Sequence, residues 1–296
     1  MTHQRTKPEQ APNPAVSEIN KRAGRDLFAA TVVGLGLLAI VGCSLVWLPW
    51  GFAIVVAIAV AGIQIELSQV LARLRGTKVV LVPLVIGSVI AVVGVYGISV
   101  YELINPGLFL LSVTGLTMVV VLSLRLLGPI EGFLNDVTTT GFLLLYPCLL
   151  LSTLMMIMAD SRGPIKIAVF VVAVAGSDTG GYAVGVLIGK HRFSPRISPN
   201  KSWEGVAGSF ILAGAAVSVL TIFALDASWW KGLVLSASLV VVATAGDLVE
   251  SVIKRDLGIK DMGSILVGHG GLMDRLDSYV LSALPAYLLM LWLFPQ

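Results

Sequence analysis

The sequence predicts an all-α fold, a polytopic integral membrane bundle of about nine transmembrane helices. Composition is the first indication, because 56% of the 296 residues are hydrophobic and only 12% are charged, against about 25% charged in a soluble domain. Long continuous apolar runs, such as residues 27–62, are the second. They lack the alternation of apolar and polar residues that is typical of a membrane barrel, and a helix satisfies its backbone hydrogen bonds within one segment.

The N-terminal segment differs from the rest of the chain. Residues 1–24 are predicted to be a disordered cytoplasmic tail, because they are mostly polar and contain three prolines. We expect no cleavable signal peptide, since this polar lead is long and the first apolar run is long enough to remain in the bilayer. Residues 25–160 are assigned to N-terminal transmembrane helices, and residues 161–296 form a second transmembrane region.

The apolar runs divide into spans of about 20 residues, the length that crosses a bilayer. The first run must hold two helices, because Trp47-Leu48-Pro49-Trp50-Gly51 interrupts it with turn residues and with tryptophans suited to the interface. The predicted spans are 27–47, 51–71, 79–99, 107–124, 138–158, 166–188, 205–225, 232–253 and 278–294.

Basic residues orient these spans. With the N-terminus placed in the cytoplasm, seventeen of the twenty lysines and arginines lie on the cytoplasmic side, as the positive-inside rule requires. An odd number of spans then places the C-terminus outside. We expect the protein in the inner (plasma) membrane, with the long polar loops 189–204 and 254–277 at the cytoplasmic face.

Acidic residues within the spans are concentrated in the second half of the chain. Asp178 lies in the sixth predicted span, and Asp247 and Glu250 lie in the eighth. A carboxylate inside a membrane span is costly and usually faces a partner, a cavity or an ion. The alternative is that each lies at the wet cytoplasmic end of its helix, and for Glu66, in the second span, we expect such a solvated interfacial carboxylate.

Residue spacing brings these acids together with basic groups. Asp247, Glu250 and Lys254 share one helix face, and Asp274 and Asp277 share another if the last span extends back to them. Convergent carboxylates beside lysine and arginine suit a Mg²⁺–phosphate site. The glycines at 268, 270 and 271 would let backbone N–H groups approach an anion, although the same segment is also typical of a tight turn.

Glycines recur at four-residue spacing in the sixth span, at positions 176, 180, 181, 185 and 189. Helix packing explains this pattern. It permits a homodimer without requiring one.

Three stretches resemble phosphatidate cytidylyltransferases, also called CDP-diacylglycerol synthases. The longest joins Ser251-Val-Ile-Lys-Arg-Asp-Leu-Gly-Ile-Lys-Asp261 to Gly268-His-Gly-Gly-Leu-Met-Asp-Arg-Leu-Asp277, and it follows the pattern S-x-x-K-R, K-D, H-G-G-x-x-D-R-x-D. The other two are Ser177-Asp178-Thr179-Gly180-Gly181-Tyr182 and Ser198-Pro199-Asn200-Lys201-Ser202-Trp203-Glu204-Gly205.

The resemblance implies that CTP and phosphatidic acid react to CDP-diacylglycerol and pyrophosphate, and that residues 161–296 are the catalytic region. Membrane lipids are the surroundings of the reaction, and no nucleic acid takes part. Mg²⁺ is the expected cofactor, with a monovalent cation such as K⁺ as an additional candidate. The predicted metal ligands are Asp247, Asp274, Asp277 and Asp178. The predicted catalytic residues are Asp247, Asp274, Lys254 and His269. The predicted substrate-binding residues are Lys201, Ser198, Arg255, Lys260, Gly270, Gly271 and Arg275.

Two other functions compete with this interpretation. A secondary transporter would explain the acids in the spans, but such transporters usually show paired halves with interrupted helices, and this chain carries its polar groups in one half. A different lipid nucleotidyltransferase or phosphotransferase, acting on another nucleotide or on a polyprenyl phosphate, would use the same metal chemistry.

Overall fold

The computed structural model describes residues 36, 39–263 and 270–295, and the named secondary-structure elements of this part of the chain are helices joined by turns and loops, with an isolated bridge between Arg192 and Ser202. Eight of its helices are long and apolar enough to cross a membrane. They are α1 (Pro49–Arg75), α2 (Leu81–Val100), α3 (Pro106–Leu126), α4 (Phe133–Met158), α5 (Gly163–Ile188), α6 (Trp203–Phe223), α7 (Trp229–Asp256) and α8 (Met273–Leu293).

Each of the last eight predicted spans corresponds to one of these helices, which confirms the helical membrane bundle. The break at Pro49 is also confirmed, because residues 39–47 are helical and α1 begins at Pro49. Proline is well placed there, since its missing N–H would have no partner in the first turn of a helix. The predicted tail and most of the first predicted span lie outside the described residues.

Two helices differ from the prediction in ways that matter for the site. α4 contains a π-helical segment, Leu144–Leu149, around Pro147, where the proline cannot donate the usual backbone hydrogen bond. α8 begins at Met273, five residues before the predicted start of the last span at 278. Asp274 and Asp277 therefore lie in the first turns of α8 and share a face, as their spacing suggested.

The glycines of α5 serve packing within the chain. A Cβ atom on Gly180 would lie 2.5 Å from the carbonyl oxygen of Gly208, and one on Gly205 would lie 2.9 Å from the carbonyl oxygen of Gly181. The backbones of α5 and α6 therefore approach closely only because both helices carry glycine at the crossing. This confirms the packing interpretation, and it means that α6 already covers the face that had permitted a homodimer.

Polar contacts define two opposite ends of the bundle. At one end, Arg75 at the end of α1 lies 2.5 Å from Asp256 at the end of α7, and the Lys78 N–H donates to Asp136 near the start of α4 at 2.6 Å. At the other end, Lys166 Nζ lies 2.8 Å from Asp160 and donates to the carbonyl oxygen of Phe294. Successive helices therefore run in alternating directions, and the loop 189–202 and the described residues 257–263 and 270–272 lie at the first end.

A buried ion pair connects α3 to α4 at this first end. Arg125 Nε lies 2.7 Å from Asp136 Oδ2, and the guanidinium also donates to the carbonyl oxygens of Pro129 and Glu131 at 2.6 and 3.1 Å. The side chains of Arg125 and Asp136 are only 6% and 4% exposed.

We predict that Arg125→Ala destabilises the protein by about 3–5 kcal/mol, because it leaves the Asp136 carboxylate buried without its cation. The free energy of unfolding, measured by SDS titration in mixed micelles, checks this. Arg75→Ala is the matched control, since the Arg75–Asp256 pair is exposed and such pairs contribute little. Equal losses in the two variants would contradict the prediction.

Candidate active site

A cavity of about 390 Å³ opens at the end of the bundle that carries the loop 189–202. Its walls come from α5, α6, α7 and α8 and from that loop, so residues of all three motif stretches contribute to it. The carboxylates that line it are Asp178, Asp247, Glu250, Asp274 and Asp277. The lysines that line it are Lys201 and Lys254.

Three of these carboxylates form a tight cluster. Asp247, Glu250 and Asp277 each offer an oxygen, and the three oxygens all lie within 4.8 Å of one another. Glu250 is 1% exposed and Asp277 is 9% exposed. The spacing of three along α7 places Asp247 and Glu250 on one face, and the second turn of α8 adds Asp277 from across the interface.

The cluster is electrostatically incomplete. Glu250 Oε1 is buried and has no hydrogen-bond partner among the described residues. Asp178 faces the same cavity from α5. Buried carboxylates that approach so closely are stabilised either by a cation or by a proton, and oxygen ligands at this separation suit a small divalent ion.

Two lysines supply part of the compensating charge. Lys201 Nζ lies 2.7 Å from Asp247 Oδ2 and donates to the carbonyl oxygen of Thr244 at 3.3 Å. Lys254 Nζ lies 2.5 Å from Glu250 Oε2 and 2.8 Å from Asp274 Oδ1. Lys254 therefore bridges α7 and α8, whereas Lys201 brings the loop 189–202 onto α7.

Besides its ion pair with Lys254, Asp274 accepts hydrogen bonds from the residues that precede α8 in the chain. Its Oδ2 accepts hydrogen bonds from the N–H groups of Met262 and Gly271 at 2.9 and 2.7 Å. Gly270, which precedes this turn, has a φ of +81°, a conformation that favours glycine. Asp274 lies beside the cluster but outside the set of three close oxygens, and its role as a metal ligand stays a prediction.

The other predicted substrate-binding residues divide into two groups. Ser198 and Lys201 line the cavity. The described residues that line it do not include Arg255, Lys260, Arg275, Gly270 or Gly271.

The structure shows what some of this second group contact instead. Arg255 is exposed, and its Nε donates to the carbonyl oxygen of Ile197 at 3.4 Å. Lys260 is also exposed, and the Gly271 N–H is directed to Asp274 and not to a ligand. The predictions for Gly268 and His269 fall outside the described residues.

Two carboxylates have roles that the sequence reasoning missed. The expectation of a solvated Glu66 is wrong, because Glu66 is 2% exposed and its Oε2 accepts from the Met273 N–H at 2.9 Å. Glu250 was noted in its span but not assigned to the site, although its spacing from Asp247 and Lys254 carried the signal. No comparable pattern pointed from Glu66 to α8.

Comparison with known proteins shows which family the chain belongs to. A model of the cytidylyltransferase family matches residues 28–293. The chain belongs to this family. It is 39% identical over 292 residues to the phosphatidate cytidylyltransferase of Mycobacterium leprae, covering 93% of the chain and 90% of that relative. It is 39% identical over 284 residues to the Mycobacterium bovis protein of the same name, and 41% identical over 131 residues to that of Helicobacter pylori.

Proposed function

We propose that this membrane protein is a phosphatidate cytidylyltransferase that makes CDP-diacylglycerol and pyrophosphate from CTP and phosphatidic acid. The observation that carries the proposal is the meeting of three acidic residues from α7 and α8 with Lys201 and Lys254 in one cavity at a bundle end. The relatives named phosphatidate cytidylyltransferase supply the substrate class. A water-soluble nucleotide and a lipid phosphate can meet only where such a cavity reaches the membrane surface.

The residues present fit a Mg²⁺ ion. We infer that Asp247, Glu250 and Asp277 hold it, with Asp178 and Asp274 adjacent, because these oxygens lie close together and Glu250 Oε1 has no hydrogen-bond partner in the described part of the chain. When bound, the ion neutralises charge on the phosphates of the nucleotide. Among the described residues that line the cavity, five carboxylates exceed two lysines by three negative charges. Mg²⁺ balances two of these charges, and a monovalent cation such as K⁺ would balance the third.

The remaining groups bind and orient the two phosphate-bearing substrates. Lys201, Ser198 and Asn200 line the cavity from one loop, where they offer donors to the triphosphate. An oxygen of the phosphatidate attacks the α-phosphorus of CTP, a new P–O bond forms, and the bond to the bridging oxygen of the leaving pyrophosphate breaks. The phosphatidate is ionised near neutral pH, so the reaction needs positioning and charge neutralisation more than a strong base.

We propose that the cavity faces the cytoplasm. The bundle end that carries it also carries Arg75, Lys78, Arg125, Lys190, Arg192, Arg196 and Lys254. A concentration of lysine and arginine at one end of the bundle marks the cytoplasmic side under the positive-inside rule. Large exposed aromatic side chains near the same end, Tyr182 at 75% and Trp203 at 63% exposed, suit the membrane interface, where the lipid headgroup lies.

The decisive experiment incubates the purified protein in detergent–lipid micelles with phosphatidic acid, Mg²⁺ and each of the four labelled nucleoside triphosphates. We expect CDP-diacylglycerol from CTP, equimolar pyrophosphate, and no product after chelation of Mg²⁺. Product from another nucleotide, or from a polyprenyl phosphate in place of phosphatidic acid, would redirect the proposal to a related transferase. Cation flux in vesicles without CTP would support a transporter instead.

We predict that Lys201→Ala raises the KM for CTP about tenfold, because one charge-assisted contact to phosphate contributes on the order of 1.5 kcal/mol. Steady-state kinetics of CDP-diacylglycerol formation check this. Lys190→Ala is the matched control, since Lys190 is exposed and lies just after α5, on the same side of the bundle. Identical KM values in the two variants would remove Lys201 from the nucleotide site.

A further inference from the structure

The first turn of α8 is held by α1, a helix from the opposite half of the chain. Glu66 Oε2 accepts a hydrogen bond from the N–H of Met273, the first residue of α8, at 2.9 Å. Glu66 is 2% exposed and Met273 is fully buried. One turn earlier on α1, Gly62 makes room for Leu272, the residue that precedes α8, because a Cβ on Gly62 would lie 2.6 Å from Leu272 Cδ2.

The Glu66 carboxylate occupies a space that two glycines leave open. A Cβ on Gly271 would lie 2.6 Å from Glu66 Oε2 and 2.7 Å from its Cδ, and one on Gly263 would lie 2.6 Å from the same Cδ. Both ends of the segment that leads into α8 therefore pack on one acidic side chain. A methyl group at either position would force the Glu66 carboxylate to move.

This burial is costly for the fold by itself. Glu66 Oε1 is buried and has no hydrogen-bond partner among the described residues, and an unsatisfied buried acceptor costs free energy. The favourable contribution comes from the start of α8, where helix N–H groups lack intrahelical partners and attract negative charge. Glu66 thus fixes the one helix start that carries Asp274 and Asp277.

We infer that Glu66 is a positioning residue for the active site. By binding the Met273 N–H it sets the rotation and height of the first turns of α8, and thereby the distance of Asp277 from Asp247 and Glu250. The inference rests on the proposed cation and nucleotide chemistry of the cavity. It gives the N-terminal half of the chain a part in the site that no motif in that half indicated.

Three substitutions separate positioning from stability. Glu66→Gln keeps an oxygen that accepts from Met273, Glu66→Asp keeps the charge but withdraws it by one methylene, and Glu66→Ala removes both. Glu131→Ala is the matched control, because Glu131 is an exposed acid at the same end of the bundle. Each protein is first tested for folding by its elution from a sizing column and its thermal unfolding.

The first readout is binding of Mn²⁺ to the folded proteins without CTP or lipid, followed by paramagnetic resonance. We expect Glu66→Ala and Glu66→Asp to weaken Mn²⁺ binding about tenfold or more, and Glu66→Gln and Glu131→Ala to remain within about twofold of the unaltered protein. The variants that bind Mn²⁺ more weakly should also need a higher Mg²⁺ concentration for half-maximal CDP-diacylglycerol synthesis. If Glu66→Ala does not fold, Glu66→Asp decides the question.

Unchanged Mn²⁺ binding in folded Glu66→Asp, or equal losses in Glu66→Gln and Glu66→Ala, would overturn the inference. Because the binding readout uses no substrate, it separates this failure from a failure of the proposed reaction, in which the unaltered protein would bind Mn²⁺ yet form no CDP-diacylglycerol.

A double-mutant cycle adds a geometric check. Gly271→Ala should weaken Mn²⁺ binding less in the Glu66→Ala protein than in the otherwise unaltered protein. In the double variant the added methyl group at position 271 no longer meets the Glu66 carboxylate.

Discussion

Charge compensation among the acids of one cavity is the constraint on which this structure depends. Asp247, Glu250 and Asp277 lie so close together in a largely apolar bundle that their negative charge must be balanced by cations or reduced by protonation. Lys201 and Lys254 supply two and at the same time connect the loop 189–202, α7 and α8. The charge that they leave uncompensated is what a divalent ion and a phosphate-bearing substrate can use, so the contacts that hold the site together also prepare it for its ligands.

The helices that carry no catalytic group matter because they fix the positions of those that do. Close approach of α5 and α6 through glycine brings Asp178 and the start of α6 to the same cavity. From the first half of the chain, α1 holds the first turn of α8 through Glu66. The buried Arg125–Asp136 pair joins α3 to α4 at the same end. The site is therefore a property of the whole bundle and not of the second half alone.

Local patterns predicted the fold and a large part of the site. Hydropathy and the turn at Pro49 located eight helices, and the spacing of Asp247, Glu250 and Lys254 placed them on one face, because both signals depend only on neighbours along the chain. The true start of α8 at Met273 was not predicted, since its first turns are polar and are stabilised by Asp274 and by the distant Glu66. Glu66 itself was misjudged because its contacts lie 207 residues away in sequence. Arg255 and Lys260 were grouped with the site by motif alone, and the structure places both on the surface.

Anomalous X-ray scattering from crystals grown with Mn²⁺ tests the central claim most directly. The account predicts one strong anomalous peak in the cavity, within about 2.2 Å of oxygens from Asp247, Glu250 and Asp277, the distance typical of oxygen ligands on a small divalent ion. The peak should disappear in crystals of Glu250→Ala grown in the same way. The account would be contradicted by a Mn²⁺ peak outside the cavity. It would also be contradicted if no peak appeared in the cavity at millimolar Mn²⁺, so that Lys201 and Lys254 alone balanced the acids.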